Sequence, residues 1–236
     1  MKTILSLLQF TTVLPLGKPQ DLEHFARRSY LYPIAGYVIG ALVALPVYFI
    51  ENQTIAAAVA VALLILFTGA HHFDGLLDFG DGLMAHGDRE KRIRILTDRN
   101  IGAGAVALGI VVILLLFAGL QEATSIACTL IIGEVCAKFS MAFLTAYGTP
   151  FHEGIHSYLH RFVQPSFPAL SFLLCLPLFL LPVPPVKIFG AMILMVFCPT
   201  ILLGISQRLF GGVNGDVAGA SNEITRALVI VGIALL

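Results

Sequence analysis

Long apolar runs separated by short polar segments dominate this chain. A membrane-crossing helix needs about 20 mostly apolar residues. Runs of that kind fall at residues 30–50, 55–73, 101–120, 124–147, 168–186, 188–205 and 226–236, the last cut short by the end of the sequence. The proline-rich stretch Leu181 to Pro185 reads as a tight turn between the fifth and sixth runs. Met1 to Leu8 joins a lysine to a short apolar stretch, as a signal peptide does. Only Pro15-Leu16-Gly17 follows, without a small-x-small cleavage pattern, so a retained interfacial or short buried helix is expected there. The predicted fold is all-α: one polytopic integral membrane domain over 1–236, with about seven transmembrane helices plus a short N-terminal interfacial helix. Tyr30, Tyr32 and Tyr147 lie near proposed span ends, where tyrosine anchors to the interface; the chain has no tryptophan.

Alternating spans sort the loops into two sets. One set holds residues 1–29, 74–100, 148–167 and 206–225; the other holds only 51–54, 121–123 and 182–187. Counting Arg226 at its edge, the first set carries 12 of the 14 Lys and Arg residues, with Lys187 on the other side and Lys138 inside a span. The positive-inside rule places the first set in the cytoplasm, in a cell (inner) membrane. Composition agrees: 58% of residues are hydrophobic and 12% charged, with 14 basic and 14 acidic side chains. No basic field is left to recruit nucleic acid. Cys128, Cys136, Cys175 and Cys198 all lie in apolar stretches without a CxxC pair and read as reduced packing residues.

Two polar segments carry candidate chemistry, and both belong to the cytoplasmic set. The first is His71-His72-Phe73-Asp74-Gly75-Leu76-Leu77-Asp78-Phe79-Gly80-Asp81-Gly82. On a helix Asp74, Asp78 and Asp81 fall within about 60° of one another. Three carboxylates so close repel unless a divalent cation neutralises them, and hard oxygen ligands suit Mg²⁺ beside substrate phosphate. The alternative is a solvated helix end marking the membrane boundary. His71 lies on the carboxylate face and His72 turns away; either can contact phosphate or shuttle a proton, or serve as a structural histidine.

The second segment is Gly211-Gly212-Val213-Asn214-Gly215-Asp216-Val217-Ala218-Gly219-Ala220-Ser221-Asn222-Glu223. Asp216, Gly219, Ala220 and Glu223 share a helical face, with small residues between two acids. A glycine-rich turn opening a helix suits phosphate, while small residues serve helix packing equally well. Between these segments, Gly87 to Gly102 carries five basic residues that can face either a phosphorylated substrate or anionic lipid. Glu134 and Lys138, at i and i+4 within the fourth span, can form an ion pair.

These residues resemble the cobalamin synthase, or adenosylcobinamide-GDP ribazoletransferase, family. Its signature, roughly His-x-Asp-Gly-Leu-x-Asp-x-x-Asp-Gly, is similar to His72 through Gly82. The likeness continues in Phe10-Thr11-Thr12-Val13-Leu14-Pro15, Tyr32-Pro33-Ile34-Ala35-Gly36, Asp98 to Gly102, and Gly211-Gly212 through Gly215-Asp216, Gly219-Ala220 and Glu223, in family order across nearly the whole chain. The chain departs from the family in three places. Asp98 is followed by Arg99-Asn100 instead of Ser/Pro-Arg, Arg94 replaces a common Glu, and Arg226 replaces an often acidic residue.

The resemblance implies a Mg²⁺-dependent membrane enzyme that transfers the adenosylcobinamide phosphate group from adenosylcobinamide-GDP to α-ribazole or α-ribazole 5′-phosphate. GMP is released, and adenosylcobalamin or its 5′-phosphate is formed. In this reading Asp74, Asp78, Asp81 and Asp216 hold metal, and Asp81, His72 or His71 moves the proton. Gly75, Gly82, Asp98, Arg208, Gly212, Gly215, Gly219 and Glu223 contact substrate or phosphate. Membrane lipid is a further partner, and the sequence leaves open whether protomers form a homo-oligomer. A membrane phosphotransferase of the CDP-alcohol type and a secondary transporter are the competing readings. The first continues its Asp-Gly with Ala-Arg, where this chain has Asp78-Phe79; the second predicts charges at mid-membrane and repeated halves.

Overall fold

A computed structural model describes all residues, 1–236. The chain folds into helices α1 (Lys2–Thr11), α2 (Glu23–Ala26), α3 (Tyr32–Val47), α4 (Gln53–Phe67), α5 (His71–Met84), α6 (Arg89–Leu96), α7 (Ala103–Gln121), α8 (Ile126–Tyr147), α9 (Ile155–His160), α10 (Phe167–Leu173), α11 (Pro185–Leu209) and α12 (Gly215–Leu235). There is no β-sheet; one isolated bridge joins Pro150 to Val213. The expected N-terminal helix is α1.

Five helices are long and apolar enough to cross a membrane: α3 with the preceding turn from Ser29, α7, α8, α11 and α12. Counting the bent pair α4–α5 as one span makes six. The protein is therefore a multi-pass membrane protein with fewer full spans than the seven read from hydropathy. The expected span at 168–186 is broken into α10 and a 3₁₀ turn over Leu176–Leu180. Pro177 explains the break, because its ring meets the carbonyl of Leu173, where α10 ends, and it has no N–H to donate. The expected span at 55–73 ends at Phe67. Gly69 and Ala70 then adopt left-handed backbone, with φ of 63° and 58°, and α5 leaves at 93° to α4. Thus α5 runs across the end of the bundle.

Hydropathy places the last span at 226–236, whereas α12 begins at Gly215. Its polar first half is inside the bundle: Val217 through Glu223 are buried, as is every residue of α8 from Ile132 to Ala142. These two helices form the axis on which α3, α5, α7 and α11 pack. Arg226 lies within that axis, 1% exposed, and not at a loop edge.

The expected division of loops into two ends holds. At one end Ser171 donates to the Tyr30 carbonyl, Val13 N–H donates to the Phe67 carbonyl and Val213 N–H donates to the Thr149 carbonyl. At the other, Gln53 donates to the carbonyls of Leu120 and Ala123, and Lys187 donates to that of Ile233. All of the candidate chemistry gathers at the first end.

Candidate functional site

The site is built where α5 crosses the start of α12. Helix α5 buries Gly75, Leu76, Phe79 and Gly80, leaves Asp74 exposed and keeps Asp78 and Asp81 half-buried. The two backbones touch. A Cβ at Gly75 would lie 2.8 Å from the Asp216 carbonyl oxygen, and one at Gly219 would lie 3.1 Å from that of His72. Absence of a side chain at Gly75 is therefore what lets Asp216 reach the carboxylates of α5. Asn214 fixes the approach: its Oδ1 accepts from Val217 N–H at 3.0 Å, capping α12, and its Nδ2 donates to Asp216 Oδ2 at 2.6 Å.

Asp78 records the resulting charge density. Burial, followed by the charges of Asp216, Asp74 and Asp81, pushes its carboxyl up to about 7. No three His, Cys, Asp or Glu groups converge into a protein cage for a metal. Mg²⁺ does not require one, since it is commonly held by one or two carboxylates, with waters and substrate phosphate completing the shell. The donor set of Asp74, Asp78 and Asp216 suits such a cation.

Asp81 has another task. Gly102 opens α7 without a side chain to cap it, and Asp81 caps the helix from α5. Gly102 N–H donates to Asp81 Oδ2 at 2.6 Å and Ala105 N–H donates to Oδ1 at 2.9 Å. Both oxygens thus accept from the N-terminus of α7. Asp81 thereby joins α5 to α7.

Glu223 is 4% exposed and sits within a buried ionic network. Arg226 Nη1 bonds Glu223 Oε2 at 2.5 Å and its Nε bonds Glu134. Lys138 Nζ donates to Asn222 Oδ1 at 2.7 Å and lies 3.8 Å from Glu134 Oε2. Two buried cations face two buried anions, so the expected Glu134–Lys138 pair is one edge of a larger structural cluster. Gly82 is walled in by Leu96 and Phe210, and Gly212 by the Thr149 carbonyl and Phe151; these two, like Gly75 and Gly219, are close-packed positions. Gly215 alone of the expected glycine contacts is exposed with no neighbour around a would-be Cβ.

His71 is exposed beside the carboxylates, whereas His72 is 7% exposed and its Nδ1 has no partner. Asp98 is exposed, its Oδ1 accepting from Asn100. Arg208 is exposed in the last turn of α11 without an ion pair or side-chain hydrogen bond.

Two side chains join the site that sequence reading did not single out. Arg89 lies along Gly211, where a Cβ would meet its Nη1 at 2.9 Å. Arg92, from the same basic segment, instead donates to the carbonyls of Gly82 and Leu83, finishing α5. His152 is exposed and close enough to Asp216 for its charge to be felt there. It is carried by the loop after α8, which pairs with the start of α12 through Pro150 and Val213. Its only sequence signal is a histidine in a polar loop of the cytoplasmic set.

Comparison with known proteins fits this architecture. Residues 3–234 match the family described as Cobalamin-5-phosphate synthase. Relatives named adenosylcobinamide-GDP ribazoletransferase include one from Methanococcoides burtonii, 34% identical over 94% of this chain and 88% of that protein. One from Halorubrum lacusprofundi is 36% identical over 93% and 91%, and one from Archaeoglobus fulgidus is 34% identical over 96% and 94%. No solved structure matches the chain. With a family match over nearly all its residues and relatives above 30% identity along most of their length, the chain belongs to the cobalamin-5-phosphate synthase family.

Proposed function

We propose that the chain is a Mg²⁺-dependent adenosylcobinamide-GDP ribazoletransferase whose site faces the cytoplasm across the inner membrane. The observation that carries this reading is the meeting of Asp74 and Asp78 with Asp216 from a segment far along the chain, at the bundle end that holds most of the basic residues. Asp74, Asp78 and Asp216 are the residues to hold Mg²⁺, which when bound offsets the negative charge of the diphosphate and the leaving GMP. Arg89, across Gly211, contacts a phosphate oxygen at the rim.

A ribose hydroxyl of α-ribazole or its 5′-phosphate attacks the phosphorus bound to adenosylcobinamide. The new P–O bond forms as the bond to GMP breaks. His152, exposed in the loop joined to the start of α12, accepts the hydroxyl proton. The product is adenosylcobalamin or its 5′-phosphate.

The test is turnover by detergent-purified, lipid-supplemented protein given adenosylcobinamide-GDP and α-ribazole 5′-phosphate, with Mg²⁺ or with EDTA. GMP release together with a cobalamin product, lost in EDTA and restored by Mg²⁺, is the expected result. Turnover that persists in EDTA removes the metal from the scheme; none under any condition removes the assigned reaction.

A further inference from the structure

Beside the carboxylates lies a second polar pocket of about 410 Å³, formed by the loop after α8 and by α9. His152, Glu153, Ser157, His160 and Arg161 line it. The Glu153 carboxylate is seated there on Arg161 Nη2, which pairs with it; the Ser157 hydroxyl lies 3.2 Å from the same oxygen and 2.9 Å from the Gly154 carbonyl, sharing its one proton between them. An oxyanion seat thus already exists, filled by a side chain of the protein. The Arg161 and Glu153 side chains are 59% and 83% exposed, and an ion pair so open to water is held weakly. A phosphate dianion offers Arg161 more charge and more acceptor oxygens than a carboxylate does.

The imidazoles are arranged for the same guest. His160 Nδ1 lies 2.8 Å from the Thr145 carbonyl, and His152 Nδ1 lies 2.6 Å from that of Glu153. Each Nδ1 therefore carries the proton toward a carbonyl, leaving Nε2 as the nitrogen not engaged by the backbone, which donates to a phosphate oxygen when the ring takes up a second proton. The pocket is fixed relative to the reacting groups, because Val213 N–H donates to the Thr149 carbonyl at 2.9 Å and Asp216 follows three residues later. His152 borders both the pocket and Asp216.

We propose that this pocket receives the 5′-phosphate of the acceptor nucleotide, with Arg161, His160 and Ser157 as its contacts and Glu153 as the group it displaces. The assignment rests on the ribazoletransferase reading. It places the two ends of one ribose, the attacking hydroxyl and the phosphate, on either side of His152.

The experiment compares α-ribazole with α-ribazole 5′-phosphate as acceptors for the full-length, detergent-purified protein and its Arg161→Gln, Arg161→Lys and Glu153→Gln variants. Where only one acceptor turns over, the other is scored by its competitive inhibition constant. Arg161→Gln is expected to lower the preference for the phosphorylated acceptor by roughly ten-fold or more, as loss of a charged phosphate contact does. Arg161→Lys should restore part of the preference, and Glu153→Gln should lower KM for the phosphorylated acceptor. A misfolded fraction reduces both acceptors alike and leaves the ratio unchanged, so the ratio reports on the pocket. An unchanged ratio in Arg161→Gln overturns the proposal while leaving the family reaction standing. No turnover of either acceptor by the unaltered protein overturns the reaction and the pocket together. The same assays are repeated with vesicles of phosphatidylglycerol or of phosphatidylcholine. A preference abolished only by the anionic lipid assigns the seat to a lipid headgroup and also overturns the proposal.

Discussion

At the scale of single residues, the four acidic side chains at α5 and the start of α12 divide into two tasks. In the proposed site Asp74, Asp78 and Asp216 would hold the cation, while Asp81 accepts from the first turn of α7 with both oxygens. Asp78→Asn should reduce Mg²⁺-dependent turnover by roughly 100-fold or more. The same change should leave the metal-free melting temperature unchanged or higher, since it removes a like charge; a fall in both would mark Asp78 as structural. Asp81→Ala should behave oppositely, lowering the melting temperature by the loss of a helix cap of about 1–2 kcal/mol. The pH dependence follows from Asp78, whose carboxyl is raised from 3.8 to about 7. Between those values the folded, metal-free protein binds more protons than the unfolded chain, so this group's contribution to stability falls as pH rises through the window. Mg²⁺ relieves that loss by replacing the proton. The thermal shift produced by Mg²⁺ should therefore be larger at pH 8 than at pH 5.5, and equal shifts would exclude Asp78 as a ligand.

Between elements, two contacts set the site. The first is the crossing of α5 over α12. Gly75→Ala would put a methyl 2.8 Å from the Asp216 carbonyl oxygen and force the backbones apart. It should abolish most turnover, while Gly204→Ala on α11, with nothing around the added methyl, should not. The second is the network of Glu134, Lys138, Asn222, Glu223 and Arg226, which joins α8 to α12 beneath the site. Arg226→Met leaves two buried carboxylates short of a partner, a loss of about 3–5 kcal/mol. Adding Glu223→Gln, which leaves Lys138 facing Glu134, should recover much of the folded yield; if the double variant is no better than the single one, packing of the arginine stem and not charge governs the site. Sequence reading found the i, i+4 pair Glu134–Lys138 because helical period alone brings those two together. It assigned Glu223 to substrate because Glu223 shares a helical face with Asp216; Arg226 lies one turn further along α12, and what brings in the second carboxylate of the cluster, Glu134, is how α8 meets α12.

For the molecule as a whole, loop charge predicted the two ends well, while hydropathy overcounted the spans. A full crossing needs about 20 residues; α4 has 15 and turns into α5, and the 167–180 passage is interrupted at Pro177. In α12 the error had the opposite sign, since Asp216, Asn222, Glu223 and Arg226 depress hydropathy in a helix whose Asn222, Glu223 and Arg226 find partners inside the bundle. The C-terminus lies at the end opposite the site, where Leu236 touches Gly190. A single cysteine placed at His86 and one placed at Leu236 should therefore react with a membrane-impermeant thiol reagent from opposite faces. Labelling of both from one face would refute this topology.

The sequence by itself determined the membrane class, the grouping of polar loops at one end, and the helical face shared by Asp74, Asp78 and Asp81. Those properties depend on apolar run length, charge sign and the 3.6-residue period, all of which are local. Only the tertiary structure decided that Asp81 caps α7, that Arg226 pairs with Glu134 of α8, that four of the motif glycines pack against backbone or side chains, and that His152 and Arg89 stand at the rim. Each of these depends on which distant segment arrives at a given side chain. That is set by the 93° turn at Gly69-Ala70 and by the close crossing at Gly75, and neither can be read from spacing along one helix.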